Sequence, residues 1–333
     1  MITSLSSLLL TGCVAALVCF ALLLILLRTG WAYAIAVDIP NHRSLHVQPI
    51  PRVGGWGVLP AALLPIAIEA PLLRWIALGA LALGAVSQID DRRGLSARTR
   101  FIAHIGVAGS AVAASVVHID AWLAVPAVIA IVWVVNLYNF MDGSNGLAGG
   151  MAFFGFATYA IGAAPSQPQL ALAGAAVAGA GLGFLILNFN PARIFLGDIG
   201  SIPLGFFAGA MGFWGWQHGA WPIWFPALAF APFIADATVT LLRRLVRGEK
   251  VWEAHREHYY QRLVQLGASH VRVALFYYSM MAVGSAIALL STHLLPLAQW
   301  AMVVVWYLAL AAVGWRIDRR WNASRTSRTA MPH

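Results

Sequence analysis

The sequence has little charge. Only 10% of its 333 residues are Asp, Glu, Lys or Arg, against 60% hydrophobic residues. That leaves too little polar surface to clothe water-soluble domains, in which about a quarter of residues are charged. Lysine is nearly absent, with one Lys beside 20 Arg. Cysteine is scarce: Cys13 and Cys19 both fall in the first apolar run, where they act as small hydrophobes and make neither a disulfide framework nor a zinc site. Internal repeats and polar stretches long enough for a soluble domain are also missing. The net charge of +9 does not point to nucleic acid, because the basic residues lie between apolar spans rather than on a polar chain.

What the sequence has is apolar runs. Stretches of about 18 residues or more recur from Leu5 to Trp315, each long enough to cross a hydrocarbon core of roughly 30 Å. Punctuation by polar, Pro and Gly residues predicts spans near 5–27, 56–72, 74–89, 101–117, 121–140, 147–163, 169–187, 202–217, 221–241, 273–291 and 297–315. The expected fold is an all-α polytopic integral membrane protein of about 11 transmembrane helices. It reads as one transmembrane unit over 1–320 followed by a disordered tail over 321–333. Leu10-Thr11-Gly12-Cys13 resembles a lipoprotein cleavage box, but no Lys or Arg precedes it and apolar sequence runs on to Leu27, so a first transmembrane helix is expected. Alternating the connections gathers 20 of the 21 basic residues on one face, with Arg74 alone opposite. The positive-inside rule makes that face cytoplasmic, with the N-terminus outside and the C-terminus inside.

Acidic residues follow the same division. Glu69 and Asp120 fall outside and the other ten on or just inside the cytoplasmic face. A gradient-driven transporter or flippase keeps ionisable groups near the midplane. Here the only acid away from the main loops, Asp236, lies about five residues from the inner end of its span, so the chemistry is expected at the cytoplasmic loops.

Five loops carry candidate residues. Asp90-Asp91 ends an apolar span and is trailed by Arg92, Arg93, Arg98 and Arg100. A solvated helix end accounts for it equally well, yet adjacent carboxylates favour a nearby cation, and their hard oxygens suit Mg²⁺ completed by phosphate and water. Asn136, Asn139 and Asp142 recur at three-residue spacing and predict one polar face converging on a ligand, with Gly143 and Gly146 forming a turn. A plain helix terminus is the alternative. Phe195-Leu-Gly197-Asp198-Ile-Gly200-Ser201 sets one carboxylate among small residues that admit a phosphate, beside an aromatic ring for a base. The longest polar loop holds His255, Arg256, His258 and Arg262, and His255, His258 and Arg262 at helical spacing predict one cationic stripe for a diphosphate. Zinc lacks a third ligand nearby. The first loop, Asp38-Ile-Pro40 through His46 to Pro51-Arg52-Val-Gly54-Gly55, is basic and rigid, and a structural role accounts for it equally well.

In this order, Asp38-x-Pro40 with His46 and Pro51-Arg52-x-Gly54-Gly55, Asp90-Asp91, Asn136-x2-Asn139-x2-Asp142-Gly143-x2-Gly146-Leu147, Phe195-x-Gly197-Asp198-x-Gly200-Ser201 and His255-x2-His258 resemble the polyprenyl-phosphate N-acetylhexosamine-1-phosphate transferases, glycosyltransferase family 4. These are membrane enzymes related to phospho-MurNAc-pentapeptide translocase. The resemblance implies transfer of a sugar-1-phosphate from a UDP-activated N-acetylated sugar to undecaprenyl phosphate, with release of UMP. It places the enzyme in a bacterial inner membrane with its site facing the cytoplasm. It implies Mg²⁺, or Mn²⁺ in its place, held by Asp198, Asp142 and Asp91, with Asp198 the principal ligand. Asp90 and Asp91 would handle the lipid phosphate. Phe195 would stack on uracil, and His255, Arg256 and His258 would steady the diphosphate or sugar, with Asn136, Asn139, His46 and Arg52 also at the substrates. Undecaprenyl phosphate, the UDP-sugar and the bilayer are the implied partners, with no nucleic acid. A homodimer is compatible with the sequence, which does not fix an oligomeric state.

Tyr260 and Gln261 stand where members using UDP-N-acetylglucosamine carry a further pair of histidines. The form found here resembles the subgroup that initiates O-antigen synthesis, whose members often take 6-deoxy sugars such as N-acetylfucosamine or N-acetylquinovosamine. The expectation is that Tyr259 or Tyr260 lies against the sugar's deoxy carbon. N-acetylglucosamine is the alternative donor.

Overall fold

The computed structural model describes residues 4–40, 48–115, 121–250 and 255–329. Its helices in chain order are α1 (Leu5–Arg28), α2 (Trp31–Ile35), α3 (Gly54–Glu69), α4 (Arg74–Arg93), α5 (Ala97–Ser115), α6 (Ala121–Phe140), α7 (Leu147–Ala163), α8 (Pro168–Asn188), α9 (Asp198–Gln217), α10 (Phe225–Ala229), α11 (Ala231–Val246), α12 (Tyr259–Gln265), α13 (His270–Ser291) and α14 (Pro296–Thr329). The one sheet among the described residues is a two-stranded antiparallel ribbon, β1 (Val37–Asp38) against β2 (Ile50–Pro51). The protein is thus helical, with this single short ribbon added in the first polar loop.

Most expected spans fall on a single helix; 56–72 runs past the end of α3 at Glu69 into a 3-10 turn, Pro71–Leu73, that leads into α4, and the end of 101–117 lies outside the described residues. The span 221–241 breaks at Phe230 into α10 and α11. Pro232 lacks the N–H that would continue the helical ladder across that point. Six described helices are long and apolar enough to cross a membrane by length and composition: Leu5–Arg28, Pro71–Arg93, Trp122–Phe140, Pro168–Asn188, His270–Ser291 and Pro296–Ser324. Gly54–Glu69 and Leu147–Ala163 are shorter apolar helices. The multi-pass membrane class follows from these. α14 runs past Trp321 to Thr329, and residues 330–333 of the expected disordered tail lie outside the described residues.

α8 is the centre of the bundle. Its Gly- and Ala-rich stretch is buried on nearly every side, packed by α1, α3 and α7, because small side chains let backbones approach closely and gain dispersion contacts. α9 packs between α4 and α6. α8 therefore delivers the 189–197 loop, and α6 the 141–146 loop, to the same end of the bundle as the ribbon. At that end the polar loops hydrogen-bond to one another.

Candidate active site

The ribbon sets the first register. Beyond Pro51 the chain runs beside the loop preceding α9: Phe195 N–H donates to Pro51 O (2.8 Å), Gly54 N–H to Phe195 O (2.8 Å) and Gly55 N–H to Leu196 O (2.9 Å). This pairing brings Arg52 Nη2 to 3.2 Å from Asp198 Oδ1. Gly197 turns the chain into α9 at φ +71°, and a Cβ there would lie 2.9 Å from the Arg52 carbonyl. Its left-handed backbone and crowding both demand glycine.

The Asn-Asp loop joins the same cluster. Gly197 N–H donates to the Asp142 carboxylate, and Ser201 Oγ donates to Asn139 Oδ1 at 2.6 Å. Arg52 feels four carboxylates. Burial works against its charge, but Asp198, Asp91, Asp38 and Asp142 together hold its pKa above the ordinary guanidinium value. Burial pushes the Asp142 carboxyl well above the usual range; Arg52 pulls it back, Asp198 adds to the push, and the Gly197 amide opposes it. The structure thus gathers Arg52, Asn139, Asp142 and Asp198, with Asp91 within electrostatic reach.

Three predicted site residues are placed elsewhere or serve differently. Asp90 accepts from Leu95 N–H (2.6 Å) and pairs with Arg100 Nη1 (2.9 Å), which ties its carboxylate to the α4–α5 corner. Asn136 donates its Nδ2 to Val132 O (2.7 Å) and lines an apolar groove instead of converging with Asp142. Each three-residue step turns about 300°, so two steps leave Asn136 and Asp142 about 120° apart even on a continuous helix, and α6 ends at Phe140. His255 is no ready cation. Burial first, then the neighbouring His258 and Arg244, push its imidazole down to about 4, with Glu257 and Glu249 opposing weakly.

The predicted cationic stripe does not form, because α12 begins only at Tyr259 and Arg262 turns away to Asp318 on α14 (Nη1–Oδ1 2.7 Å). His258 does reach the Asn-Asp loop: it is buried, with its ring stacked on Phe140 at 6.3 Å between centroids and on Tyr260 at 5.9 Å. His255 follows it, ring centroid to ring centroid at 4.8 Å. Arg256 is half-buried beside them, its carbonyl accepting from Gln265 Nε2 (2.9 Å). Phe195 is half-buried at the cluster's edge. His46 lies outside the described residues.

Tyr259 and Tyr260 are not placed to meet a sugar. Tyr260 is 1% exposed and donates its hydroxyl to Phe140 O (3.2 Å). A Cβ on Gly143 would run into that hydroxyl, so the glycine is what lets the loop close over the ring. Tyr259 is buried, donates to Asp318 Oδ2 (3.1 Å), and lies beneath the guanidinium groups of Arg243 and Arg262. The expected apolar wall for a deoxy carbon therefore does not come from these rings.

Sequence reasoning missed two ties. Asn188, buried at the end of α8, accepts from Gly146 N–H (2.8 Å) and donates to Ile194 O (2.9 Å), lacing two motif loops together. Its signal was an Asn directly closing an apolar span. The second is Asp236, noted in the sequence only for its depth.

Beside the cluster, α5, α6 and α11 enclose an apolar groove of about 1090 Å³, lined among others by Phe101, Ile105, Val128, Val132, Leu241 and Leu245. Asn136 and Phe140 stand at the end of α6 that leads into the Asn-Asp loop. A groove of this kind suits a hydrocarbon chain whose polar head sits at the carboxylates.

Comparison with known proteins adds a family. The model of glycosyl transferase family 4 matches residues 73–215. The probable undecaprenyl-phosphate N-acetylglucosaminyl 1-phosphate transferase of Bacillus subtilis (strain 168) is 31% identical over 255 residues, covering 71% of each chain. The chain belongs to glycosyl transferase family 4. Two further relatives align along more of its length. The decaprenyl-phosphate N-acetylglucosaminephosphotransferase of Mycolicibacterium smegmatis (strain ATCC 700084 / mc(2)155) is 29% identical, covering 86% of this chain and 83% of the relative. The undecaprenyl-phosphate alpha-N-acetylglucosaminyl 1-phosphate transferase of Yersinia pestis is 28% identical, covering 87% and 86%.

The family reading invites a test of the metal against the residues. Among the described residues, no group of three His, Cys, Asp or Glu side chains is placed so that it could hold a metal ion. Mg²⁺, however, takes one or two carboxylates and completes its shell with phosphate and water. Asp198 at Arg52, with Asp142 and Asp91 close enough to act on the same guanidinium, carries oxygens of the hard type that Mg²⁺ takes.

Proposed function

We propose that this family member transfers an N-acetylated hexosamine-1-phosphate from a UDP-sugar to undecaprenyl phosphate at the cytoplasmic face of a bacterial inner membrane. The observation that carries the proposal is the convergence of Arg52, Asp142 and Asp198 from three separate loops beside an apolar groove. A membrane-embedded acceptor with an anionic head needs that juxtaposition. The topology that fits has the N-terminus outside and the C-terminus inside, since it puts nearly all the arginines in the cytoplasm.

In this reading an oxygen of the lipid phosphate attacks the phosphorus that bears the sugar. A new P–O–P bond forms, the old anhydride bond breaks, and its bridging oxygen leaves with UMP. A bound Mg²⁺ supplies charge compensation for the two approaching phosphates. Asp198 and Asp142 would hold it, with Asp91 in support. Arg52 orients Asp198 and adds positive charge opposite the phosphates. Asp91 is better placed than Asp90 to orient the lipid phosphate or accept its proton, because Asp90 is committed to Arg100 and Leu95. Asn139, fixed by Ser201, borders the donor. Phe195 offers a face to the uracil, and His258 with His255 and Arg256 borders the diphosphate or sugar.

Two donors have separate support. N-acetylglucosamine is the sugar in the names of the relatives compared above. The Tyr260-Gln261 departure favours a 6-deoxy sugar and a role in O-antigen synthesis. Radiolabelled transfer to undecaprenyl phosphate from UDP-N-acetylglucosamine, UDP-N-acetylfucosamine and UDP-N-acetylquinovosamine tests the function. The expected result is lipid-linked product from at least one donor with stoichiometric UMP, and failure with all three would sink the reading.

A further inference from the structure

Behind the histidine loop lies a buried carboxylate that the proposed reaction does not use. Asp236 of α11 is 3% exposed, and an isolated charge at that depth is costly unless paired and hydrogen-bonded. Its partners are numerous. Oδ1 accepts from Tyr259 N–H (2.8 Å) and Thr240 Oγ1 (3.2 Å); Oδ2 accepts from Tyr277 Oη (2.6 Å) and Tyr260 N–H (3.2 Å). His258 Nδ1 lies 3.4 Å from Oδ1, long for a hydrogen bond but within ion-pair distance. One side chain thus touches α11, α12, α13 and the residue that precedes α12.

The contacts are selective. They hold the chain at His258–Tyr260, where the rings of His258 and Tyr260 pack onto Phe140 and the Asn-Asp loop while Tyr259 turns toward α14. Downstream, α12 is held separately by Arg262–Asp318 and the Tyr259–Asp318 hydrogen bond. Removing Asp236 would leave α12 tethered to α14 while freeing the imidazole end of the loop.

We infer that Asp236 is a positioning residue that clamps the start of α12, and so holds His258 against the Asn139–Asp142 loop in the register required to bind the nucleotide-sugar diphosphate. The inference rests on the proposed function for the donor's identity. The clamp itself does not depend on it.

The test uses full-length protein in lipid nanodiscs and the Asp236→Asn variant, which keeps the volume but removes the charge and one acceptor oxygen. Hydrogen exchange of residues 255–262 is expected to quicken about tenfold or more, with α8 and α9 unchanged. With UDP-N-acetylglucosamine as donor and undecaprenyl phosphate as acceptor, donor KM is expected to rise about tenfold while acceptor KM stays within about twofold. Tyr277→Phe, which removes one donor, is expected to move both readouts the same way by about threefold, and carries the test should Asp236→Asn fail to insert. Unchanged exchange over 255–262 overturns the inference, as does a loosened loop with both KM values unaltered. A wild type silent with every UDP-sugar defeats the proposed function instead, and the exchange measurement still decides the clamp.

Discussion

Two polar regions sit at the same end of the bundle and are built on opposite charge arithmetic. Around Arg52, among the described residues, one guanidinium pairs with Asp198 and feels the carboxylates of Asp38, Asp91 and Asp142. Around the histidine loop, Arg243, Arg244, Arg247 and Arg262 are matched in a continuous chain to Asp318, Glu249 and Glu257 at 2.6–3.4 Å, and Asp236 is saturated by neutral donors. The second region is held together by these ion pairs and hydrogen bonds, although among the described residues the buried Nδ1 of His258 and Nε of Arg262 make no hydrogen bond, so its main work is to hold the loop in shape. Among the described residues the first carries more carboxyl groups than guanidiniums, a surplus that suits a bound cation, which is why we place the chemistry there.

The largest way to break this contrast is to neutralise the unbalanced side. Asp198→Asn is expected to lower turnover by about 10²-fold or more while the protein inserts and purifies normally, and EDTA is expected to abolish wild-type turnover until Mg²⁺ is returned. Near-normal rates in the variant would remove Asp198 from the metal and leave the two regions indistinguishable. A smaller effect is expected where the groove meets the cluster. Val128→Trp, filling space between α5, α6 and α11, should raise KM for undecaprenyl phosphate about tenfold and leave KM for a short-chain prenyl phosphate unchanged. Equal effects on both acceptors would detach the groove from the reaction.

The histidine loop and its contact with the Asn-Asp loop predict stability effects instead. Gly143→Ala forces a methyl against the Tyr260 hydroxyl, and overpacking of this sort costs about 1–3 kcal/mol. Thermal unfolding in nanodiscs should show a lower midpoint. The smallest effect concerns pH. His255 is held down to about 4, below its ordinary 6.5, so between those values the unfolded chain binds the proton more readily than the folded one. Stability from this residue is therefore present above about 6.5 and lost as pH falls toward 4. Since the ring is half-exposed, a slight shift is expected. His255→Gln should flatten the slope of the unfolding midpoint over that window, and an unchanged slope would mean the ring is not desolvated as placed.

The motifs were legible because they break an apolar sequence. In a chain with so few charges, Asp90-Asp91, Asp142, Asp198 and the histidines stand out, and their confinement to one set of alternate loops is a one-dimensional property that hydropathy reveals. The helix ladder was legible for the same reason. The break at Phe230 was not, although Pro226 and Pro232 flank it, since prolines are also tolerated within intact helices such as α3 and α9.

What the sequence determined by itself, then, is the solvent the protein folds in, the helical class, and the chemical types gathered on one face. Each follows from composition and order along the chain. Which neighbours those side chains meet was decided only in three dimensions. Asp90 and Asp91 are adjacent in sequence, yet a helix turns about 100° between them, sending Asp90 to Arg100 and leaving Asp91 within reach of Arg52. Tyr260 and Gly143 are far apart along the chain but share one contact that closes the loop. Asp236 looks like an isolated acid in a hydrophobic run until α12 and α13 bring it two amides and a phenol. Those partners lie more than twenty residues away, and only packing brings them to the carboxylate.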